Sequence, residues 1–305
     1  MSKVKRLSEI KAVPIIRNST WIPSLDAIYG TSNSPEHNIG MPKGKISLWA
    51  GESGVGKSRL CIEVAKKFST RYIGGVVLYI QTESPLEDFA GWVNNPQDYP
   101  NIYCTGADNI DDIIKIIYDV KPKLIFIDSV NEIEDFTGNA RSSDRLIKGE
   151  GSKIGLKQAT NDVGAHTILL GQLNQDGKTI KGGTSLPHLV DVALNVRLVD
   201  PIAGTFKVEV GTKNRYGKRD SVANFKHTDE GVIEDLLITD SYKTTPDKNM
   251  YLDEHGTFVD HITPAMQKRM DAQNPNYMTD MGYRHDLPKN WYDRVGSVLD
   301  KIINR

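Results

Sequence analysis

The chain has 305 residues, of which 38% are hydrophobic and 25% are charged. This composition supports a large hydrophobic core and excludes a chain that is disordered throughout. The 38 Lys and Arg residues nearly balance the 39 Asp and Glu residues, which leaves a formal charge of -1. A global positive field is therefore excluded, and any site for a polyanion must be a local patch.

The pattern of apolar residues excludes further classes of protein. The longest apolar runs, such as 124–127, fall far short of the roughly 20 residues that span a bilayer, and the basic amino terminus lacks the apolar stretch of a secretory signal. We therefore expect a cytoplasmic protein without a membrane helix. Cys61 and Cys104 lie within apolar patterns and outside any metal-binding motif, so we expect buried, reduced thiols.

Between residues 46 and 198, short β-rich runs alternate with segments of helical period. This alternation predicts an α/β domain with a mainly parallel sheet. The first predicted strand, 46–50, leads through a glycine-rich turn into a helix. The apolar residues of that helix recur with helical spacing and should face the sheet; they are Leu60, Cys61, Val64, Ala65 and Phe68.

Two of the strands that follow end in a polar residue. The elements predicted after the first helix are strands at 76–80, 124–128 and 167–172, and a helix at 110–120. Asp128 ends one strand and Gln172 ends the next. Ligands of open parallel sheets bind beyond the carboxyl ends of the strands, so these two residues are site candidates.

The remaining chain divides into an extension of the sheet and a terminal segment. Runs at 193–199 and 206–211 lie at hairpin distance and predict an antiparallel extension. The last segment has no strong period until an amphipathic helix over 291–303, which packs on its own core or docks on a neighbouring subunit. The predicted divisions are a basic arm at 1–13, a core domain at 14–239 and a carboxyl-terminal extension at 240–305.

The turn after the first strand fits the phosphate-loop pattern in full, between a strand and a helix as the chemistry requires. Its glycines allow backbone N–H groups to point at phosphates, and the helix adds its positive amino-terminal end. We expect Lys57, a surface lysine, to contact the β- and γ-phosphates of ATP, and the Ser58 hydroxyl to bind Mg²⁺. The predicted nucleotide-binding residues are Gly51, Glu52, Ser53, Gly54, Val55, Gly56, Lys57, Ser58 and Arg59.

Hydrolysis also requires carboxylates near the metal and the attacking water. Asp128 closes its strand where a carboxylate would reach Mg²⁺ directly or through water. Glu83 follows the end of an adjacent predicted strand and is the best candidate to orient the water, with Glu52 in the loop as the competitor. Gln172 is neutral, so it can hydrogen-bond a phosphate or the water and report the γ-phosphate to the loop that follows.

These residues, in this order, resemble the RecA superfamily, and within it the RadA (Sms) recombination ATPases and the DnaB-type hexameric helicases. The most specific segment, 213–217, is Lys-Asn-Arg-Tyr-Gly and is similar to the Lys-Asn-Arg-Phe-Gly signature of RadA. The segments 21–26 and 186–194 also resemble RadA, whereas 171–174 is nearer to the helicases. The resemblance covers about 14–238 and implies a RecA-like ATPase core.

The resemblance also implies assembly. Subunits of this clan form a ring, such as a hexamer, or a filament, and basic residues of one subunit reach the γ-phosphate held by the next. Lys213 and Arg215 are the candidates for this role, since both cations lie on one face of a strand. From spacing alone, an exposed basic strand end is the alternative. The four-cysteine zinc ribbon and Lon-like domain of RadA have no counterpart, so a core of the kind a virus or plasmid encodes would fit.

Two predicted loops carry local positive charge and occupy the positions of the DNA-binding loops of the resembled family. We expect both to be flexible and to track a phosphate backbone, with solvated mobile loops as the alternative. The candidate DNA-binding residues are Arg141, Arg145 and Lys148 in the first loop, and Lys178 and Lys181 in the second.

The sequence therefore predicts an ATP- and Mg²⁺-dependent motor that binds single-stranded DNA, in recombination or branch migration. A stripped-down DnaB-like helicase that unwinds DNA at a replication fork is the nearest alternative. The rival from another class is a nucleotide-switched signalling ATPase of KaiC type that does not use DNA.

Overall fold

The computed structural model of the chain describes residues 6, 8, 14–30, 39–72, 74–134, 136–174, 181 and 185–235, and the backbone of 251–252 and 258–259. The chain divides into two compact units, Met1–Ser241 and Tyr242–Arg305. Most of the predicted amino-terminal arm, Lys178, and the predicted terminal helix lie outside the described residues.

Fifteen strands are described, and all but two of them belong to the first unit. In chain order they are β1 (Arg17–Asn18), β2 (Met41–Pro42), β3 (Lys45–Gly51), β4 (Val77–Gln81), β5 (Ile102–Thr105), β6 (Leu124–Asp128), β7 (Gly149–Glu150), β8 (Lys153–Ile154), β9 (His166–Gln172), β10 (Val192–Asp200), β11 (Thr205–Asn214), β12 (Val222–Thr228), β13 (Gly231–Glu234), β14 (Tyr251–Leu252) and β15 (Phe258–Val259).

The described α-helices all lie in the first unit. They are α1 (Pro23–Tyr29), α2 (Lys57–Arg71), α3 (Leu86–Trp92), α4 (Ile110–Val120), α5 (Ala140–Lys148), α6 (Leu156–Val163) and α7 (Leu186–Leu189). None of the described helices is long and apolar enough to cross a bilayer.

A nine-stranded sheet forms the centre of the first unit, in the order β13-β12-β11-β10-β3-β9-β6-β4-β5. The strands from β10 to β5 run parallel to one another. The strands from β10 to β13 pair antiparallel, beginning with the β10–β11 hairpin. The predicted α/β class, with a mainly parallel sheet and an antiparallel extension, is therefore confirmed.

Apolar layers cover both faces of the sheet because side chains alternate along each buried strand. On β6, Phe126 joins one layer, whereas Ile125 and Ile127 join the other. The predicted apolar stripe of α2 is buried in the Phe126 layer, and the isoleucines of α4 are buried in the opposite layer. The strands β3, β9, β6 and β4 run parallel between these layers. Their carboxyl ends therefore share one edge of the sheet.

The segment expected to be the first flexible basic loop is instead built from regular elements. It forms α5 and the antiparallel pair of β7 and β8. The side chain of Asn139 caps α5 by accepting a hydrogen bond from the Ser142 N–H, and Leu146 and Ile147 are buried. The helix was missed because these two residues are its only large buried apolar residues, within a segment rich in Ser, Gly and Asn.

The expectation for the two thiols is correct for one of them. Cys61 is buried on α2, whereas Cys104 is exposed. Cys104 lies on β5, the outermost strand on its side of the sheet among the described residues. An apolar neighbourhood in the sequence therefore did not lead to burial at this position. Partial burial nevertheless raises the pKa of Cys104 to about 11.

Candidate nucleotide site and the opposite edge of the sheet

The phosphate loop joins the carboxyl end of β3 to α2, as the sequence predicts. Gly54 and Gly56 have φ angles of 76° and 105°, which side chains other than glycine rarely adopt. A Cβ atom on Gly56 would lie 2.4 Å from Cε1 of His227 on β12. The antiparallel extension thus packs on the loop, and Gly56 is required by space as well as by conformation.

Lys57 is buried, with 8% of its surface exposed, so the expectation of a surface lysine is wrong. Its ammonium group donates hydrogen bonds to the carbonyl oxygens of Gly51 (2.9 Å) and Glu52 (2.7 Å). Burial lowers the pKa of Lys57, while the charges of Asp128 and Glu83 oppose that change. The lysine therefore ties the two ends of the loop together from within.

The other predicted loop residues differ in exposure. Glu52, Ser53 and Arg59 are exposed, whereas Val55 is buried beneath the loop. Glu52 therefore has the position of a solvated loop residue.

Asp128 lies at the end of β6 with 2% of its surface exposed. Its Oδ2 accepts a hydrogen bond of 2.8 Å from the Tyr79 hydroxyl. Burial raises the pKa of Asp128, and hydrogen bonds from Ser58 and Tyr79 lower it in part. The loop hydroxyl and the strand-end carboxylate that were predicted from distant parts of the sequence are thus neighbours. Tyr79, which orients the carboxylate, was missed because a tyrosine inside an apolar strand is usual for a core.

The donors present fit Mg²⁺ bound together with a nucleotide. Mg²⁺ takes one or two protein oxygen ligands and completes its shell with phosphate oxygens and waters. Ser58 and Asp128 supply a hydroxyl and a carboxylate at the mouth of the loop. Within the described residues, no group of three or more His, Cys, Asp or Glu side chains is arranged to hold a metal by itself. The pair thus suits a metal that arrives with phosphates.

Glu83 and Gln172 meet at the same edge, although 89 positions separate them in the sequence. Gln172 Nε2 donates a hydrogen bond of 2.8 Å to Glu83 Oε1. Glu83 follows β4, and Gln172 ends β9. In the sheet these two strands are separated by β6, which explains the contact. Glu83 also lies near Lys57, since its negative charge raises the pKa of that lysine. The arrangement offers a carboxylate and an amide to a water molecule near the loop.

One further residue joins this edge that the sequence did not indicate. Asn131 lies in a 3₁₀ turn after β6, and its side-chain oxygen accepts a hydrogen bond of 2.9 Å from the Gln172 N–H. An asparagine in a turn usually serves the local backbone, so its position in the sequence carried no signal for a contact with another strand.

Lys213 and Arg215 lie at the opposite, amino edge of the parallel strands. Lys213 Nζ donates hydrogen bonds to the carbonyl oxygens of His188 (2.8 Å) and Val190 (2.6 Å). Arg215 Nη1 contacts Oδ1 of the buried Asp191 at 3.4 Å. Asp191 in turn bonds to the backbone of Ile46, at the start of β3, through its N–H and its Oδ2. Both cations are therefore level with the beginning of the strand that ends in the phosphate loop.

The rest of the Lys-Asn-Arg-Tyr-Gly segment has a structural role. The Asn214 side chain accepts hydrogen bonds from the N–H groups of Tyr216 and Gly217 and donates one to the Ile28 carbonyl. A Cβ atom on Gly217 would lie 1.9 Å from that carbonyl oxygen, so only glycine fits. The buried Arg17 also donates to the Tyr216 carbonyl. These contacts explain the spacing of the segment and fix it against α1.

The predicted DNA-binding cations differ in their surroundings. Arg141 pairs with Glu150 at 2.8 Å, and Lys148 pairs with Asp144 at 2.8 Å. Arg145 lies on the same helix. Lys181 lies close to the carboxyl edge, because its N–H donates to the Gln172 carbonyl at 2.7 Å. Of the two segments, the second is therefore the one attached directly to the predicted nucleotide site.

Comparison with known proteins agrees with this geometry. The chain matches no protein-family profile. It is 28% identical over 264 residues to "DNA repair protein RadA" of Mycobacterium tuberculosis H37Rv, covering 84% of this chain and 49% of the relative. It is 30% identical over 223 residues to the protein of that name from Mycolicibacterium smegmatis, covering 70% and 44%. For the Aquifex aeolicus protein the identity is 28% over 232 residues, covering 72% and 46%.

The phosphate loop at the end of β3, the polar ends of the neighbouring strands and the sheet order define a P-loop protein with a RecA-like core. The chain spans about half the length of the curated relatives it matches. Over most of its length the chain is therefore similar to proteins named RadA, and its fold is that of a RecA-like core.

Proposed function

We propose that this protein is an ATP- and Mg²⁺-dependent motor that binds single-stranded DNA and acts in DNA recombination or branch migration. The observation that carries the proposal is the meeting of Lys57, Asp128, Glu83 and Gln172 at one edge of the sheet. The names of the relatives support the DNA-repair context. A helicase activity of DnaB type stays a prediction.

In the proposed reaction, the loop N–H groups and Lys57 bind the phosphates of ATP. Ser58 and Asp128 would hold Mg²⁺, which when bound neutralises charge on the β- and γ-phosphates. Glu83 orients the attacking water and accepts its proton, since its carboxylate is free of the metal pair and is held by Gln172. The Gln172 amide contacts Glu83, and the Gln172 carbonyl contacts Lys181 of the following basic segment. Gln172 therefore senses whether the γ-phosphate is present.

Arg215 and Lys213 complete the site of a second copy of the chain. β3 runs for seven residues between the level of Arg215 and the phosphate loop. At roughly 3.3 Å per residue this is about 20 Å, which is longer than an arginine side chain. Arg215 is therefore out of reach of the loop in its own chain. A head-to-tail assembly, as a ring or a filament, brings the cationic edge of one copy to the phosphate edge of the next.

The second basic segment is our stronger candidate for the DNA contacts. Lys178 and Lys181 are the proposed phosphate contacts, and Lys181 is the one that the structure places next to Gln172. Arg141, Arg145 and Lys148 on α5 form a second, weaker candidate, since ion pairs with Glu150 and Asp144 reduce the local positive charge.

The test is the rate of ATP hydrolysis by the purified chain with Mg²⁺, measured with and without single-stranded DNA. We expect hydrolysis in both conditions and a faster rate with DNA, because Gln172 connects the two sites. Double-stranded DNA of the same length serves as the matched control. An ATPase that neither binds nor responds to DNA would contradict the motor and favour a nucleotide-switched signalling protein.

A further inference from the structure

The side chain of Asn131 joins the end of β9 to Lys181 in the second basic segment. Its Oδ1 accepts the hydrogen bond from the Gln172 N–H at 2.9 Å, and its Nδ2 donates to the Lys181 carbonyl at 2.6 Å. The Lys181 N–H donates to the Gln172 carbonyl at 2.7 Å. Three hydrogen bonds therefore join Gln172 at the end of β9, Lys181 in the basic segment and the Asn131 side chain.

The position of Asn131 connects this arrangement to the metal-binding strand. Asn131 lies three residues after Asp128, in the 3₁₀ turn Val130–Glu132. Val130 is fully buried, so the turn is anchored in the core. The side chain of Gln172, whose backbone Asn131 holds, donates to Glu83 at 2.8 Å. A continuous chain of polar contacts thus runs from Glu83 through Gln172 and Asn131 to Lys181.

The chemistry of this position requires an amide. A carboxamide offers an acceptor and a donor about 2.3 Å apart, so one side chain can bond to an N–H and a carbonyl of two separate residues. An aspartate keeps the acceptor for Gln172 and places a second oxygen against the Lys181 carbonyl. An alanine removes both contacts. The two substitutions therefore separate the two halves of the contact.

We propose that Asn131 is a positioning residue that couples the nucleotide state of the Glu83–Gln172 pair to the backbone of Lys181. The inference rests on the proposed nucleotide site. When Gln172 exchanges its contact with Glu83 for a γ-phosphate or its water, the shift of Gln172 is passed by Asn131 to Lys181. Asn131 does not touch the nucleotide itself. Its loss should leave ATP binding unchanged and weaken the response of the basic segment to the nucleotide.

The primary test is amide hydrogen exchange, resolved at Gln172 and Lys181, with and without Mg²⁺ and a non-hydrolysable ATP analogue. In the unmodified chain we expect the analogue to slow exchange at both amides by at least about fivefold, the lower end of ordinary coupling between sites. In Asn131→Ala the ratio at Lys181 should fall clearly below that of the unmodified chain, because only the direct bond from the Lys181 N–H to the Gln172 carbonyl remains. In Asn131→Asp it should fall at Lys181 and persist at Gln172.

The matched control is Asn161→Asp, the same change at an exposed position on α6. It should exchange like the unmodified chain. The KM for ATP should stay within about twofold in all variants, which a general loss of structure would not allow. Because Asn131→Asp keeps nearly the same shape, it decides the question even if Asn131→Ala does not fold.

An Asn131→Ala protein whose Lys181 amide responds to the analogue as strongly as in the unmodified chain would overturn the coupling role. So would an unmodified chain whose Lys181 amide shows no response. A chain whose amides respond as expected but which does not bind DNA would instead refute the proposed motor and leave the role of Asn131 intact. The failure of one proposal is thus distinguishable from the failure of the other.

Discussion

The two edges of the parallel strands present opposite chemistry to their surroundings. At the carboxyl edge, the phosphate loop and the carboxylates of Asp128 and Glu83 surround a place for phosphates and a metal. At the amino edge, Lys213 and Arg215 are held by backbone carbonyls and by Asp191. Lys213 and Arg215 thus place two cations at the amino edge, whereas the described side chains around the phosphate loop at the carboxyl edge include the two carboxylates.

Under the proposed assembly, one copy of the chain would therefore contribute its two edges to two different nucleotide sites. A hydrogen bond holds each cation near the start of β3, and the length of that strand separates them from the loop. In the proposed head-to-tail assembly, the cationic edge of one copy would face the carboxylates of the next, an arrangement that charge complementarity favours.

The largest effect is expected from Arg215→Ala. If Arg215 reaches the γ-phosphate of a neighbouring copy, its loss should reduce kcat by roughly 10³-fold, the lower end for such arginines. The comparison is tested by mixing Arg215→Ala with Glu83→Gln, since each variant damages a different half of the site. In an equal mixture about a quarter of the contacts would pair two intact halves, and activity should partly return. No return in a mixture that demonstrably co-assembles would show that Arg215 does not act between copies.

The second prediction concerns the carboxyl edge alone. Glu83→Gln should bind ATP with unchanged affinity and hydrolyse it roughly 10²-fold more slowly, because the amide keeps the shape but cannot accept a proton. Glu52→Gln, at an exposed position in the loop, is the matched control and should remain within about twofold of the unmodified rate. Single-turnover hydrolysis measures the step directly. A slow Glu52→Gln beside a normal Glu83→Gln would reverse the assignment.

The third prediction concerns stability at the amino edge. His166 is fully buried between the Ser47 hydroxyl and the Pro42 carbonyl, and burial lowers its pKa to about 4. The unfolded chain takes up this proton below about pH 6.5, so the stabilisation by neutral His166 is lost as the pH falls from 6.5 towards 4. Between pH 7 and pH 4.5 the loss from this group is about 2.5 kcal/mol.

The measurement is urea unfolding of the unmodified chain and of His166→Gln at both pH values. The variant should lose less stability on acidification, by about that amount. Asp26 acts in the opposite direction, since burial raises its pKa to about 6, but it is present in both proteins and cancels in the difference. Equal losses in the two proteins would show that His166 is not the group that titrates.

The smallest effect concerns DNA at the carboxyl edge. Replacing Lys178 and Lys181 by Ala should make the slope of log affinity against log salt shallower by about 1.4. Binding to single-stranded DNA releases about 0.7 fewer counterions for each phosphate contact that is lost. Replacing Arg141 and Lys148, which are ion-paired on α5, is the matched comparison and should change the slope less. Equal changes would mean that α5 contributes as much to binding as the second segment.

Local sequence was informative wherever a residue type is demanded by its own backbone. Gly54 and Gly56 of the phosphate loop have positive φ angles, and Asp128 and Gln172 end apolar strands, so both features could be read from a short window. The alternation of strands and helices likewise predicted the parallel sheet. The helix α5 was missed because a short helix with two large buried residues has little periodic signal.

By itself, the sequence determined the class of fold, the phosphate loop and the strand-end polar residues, because periodicity and backbone conformation are local properties. Only the tertiary structure decided which strands are neighbours, and hence that Glu83 meets Gln172 and that Asn131 joins Gln172 to Lys181. It also decided the burial of Lys57 and the placement of Arg215 at the far edge. These are contacts between residues distant in the chain, and strand order, which sets them, is fixed by the packing of both faces of the whole sheet.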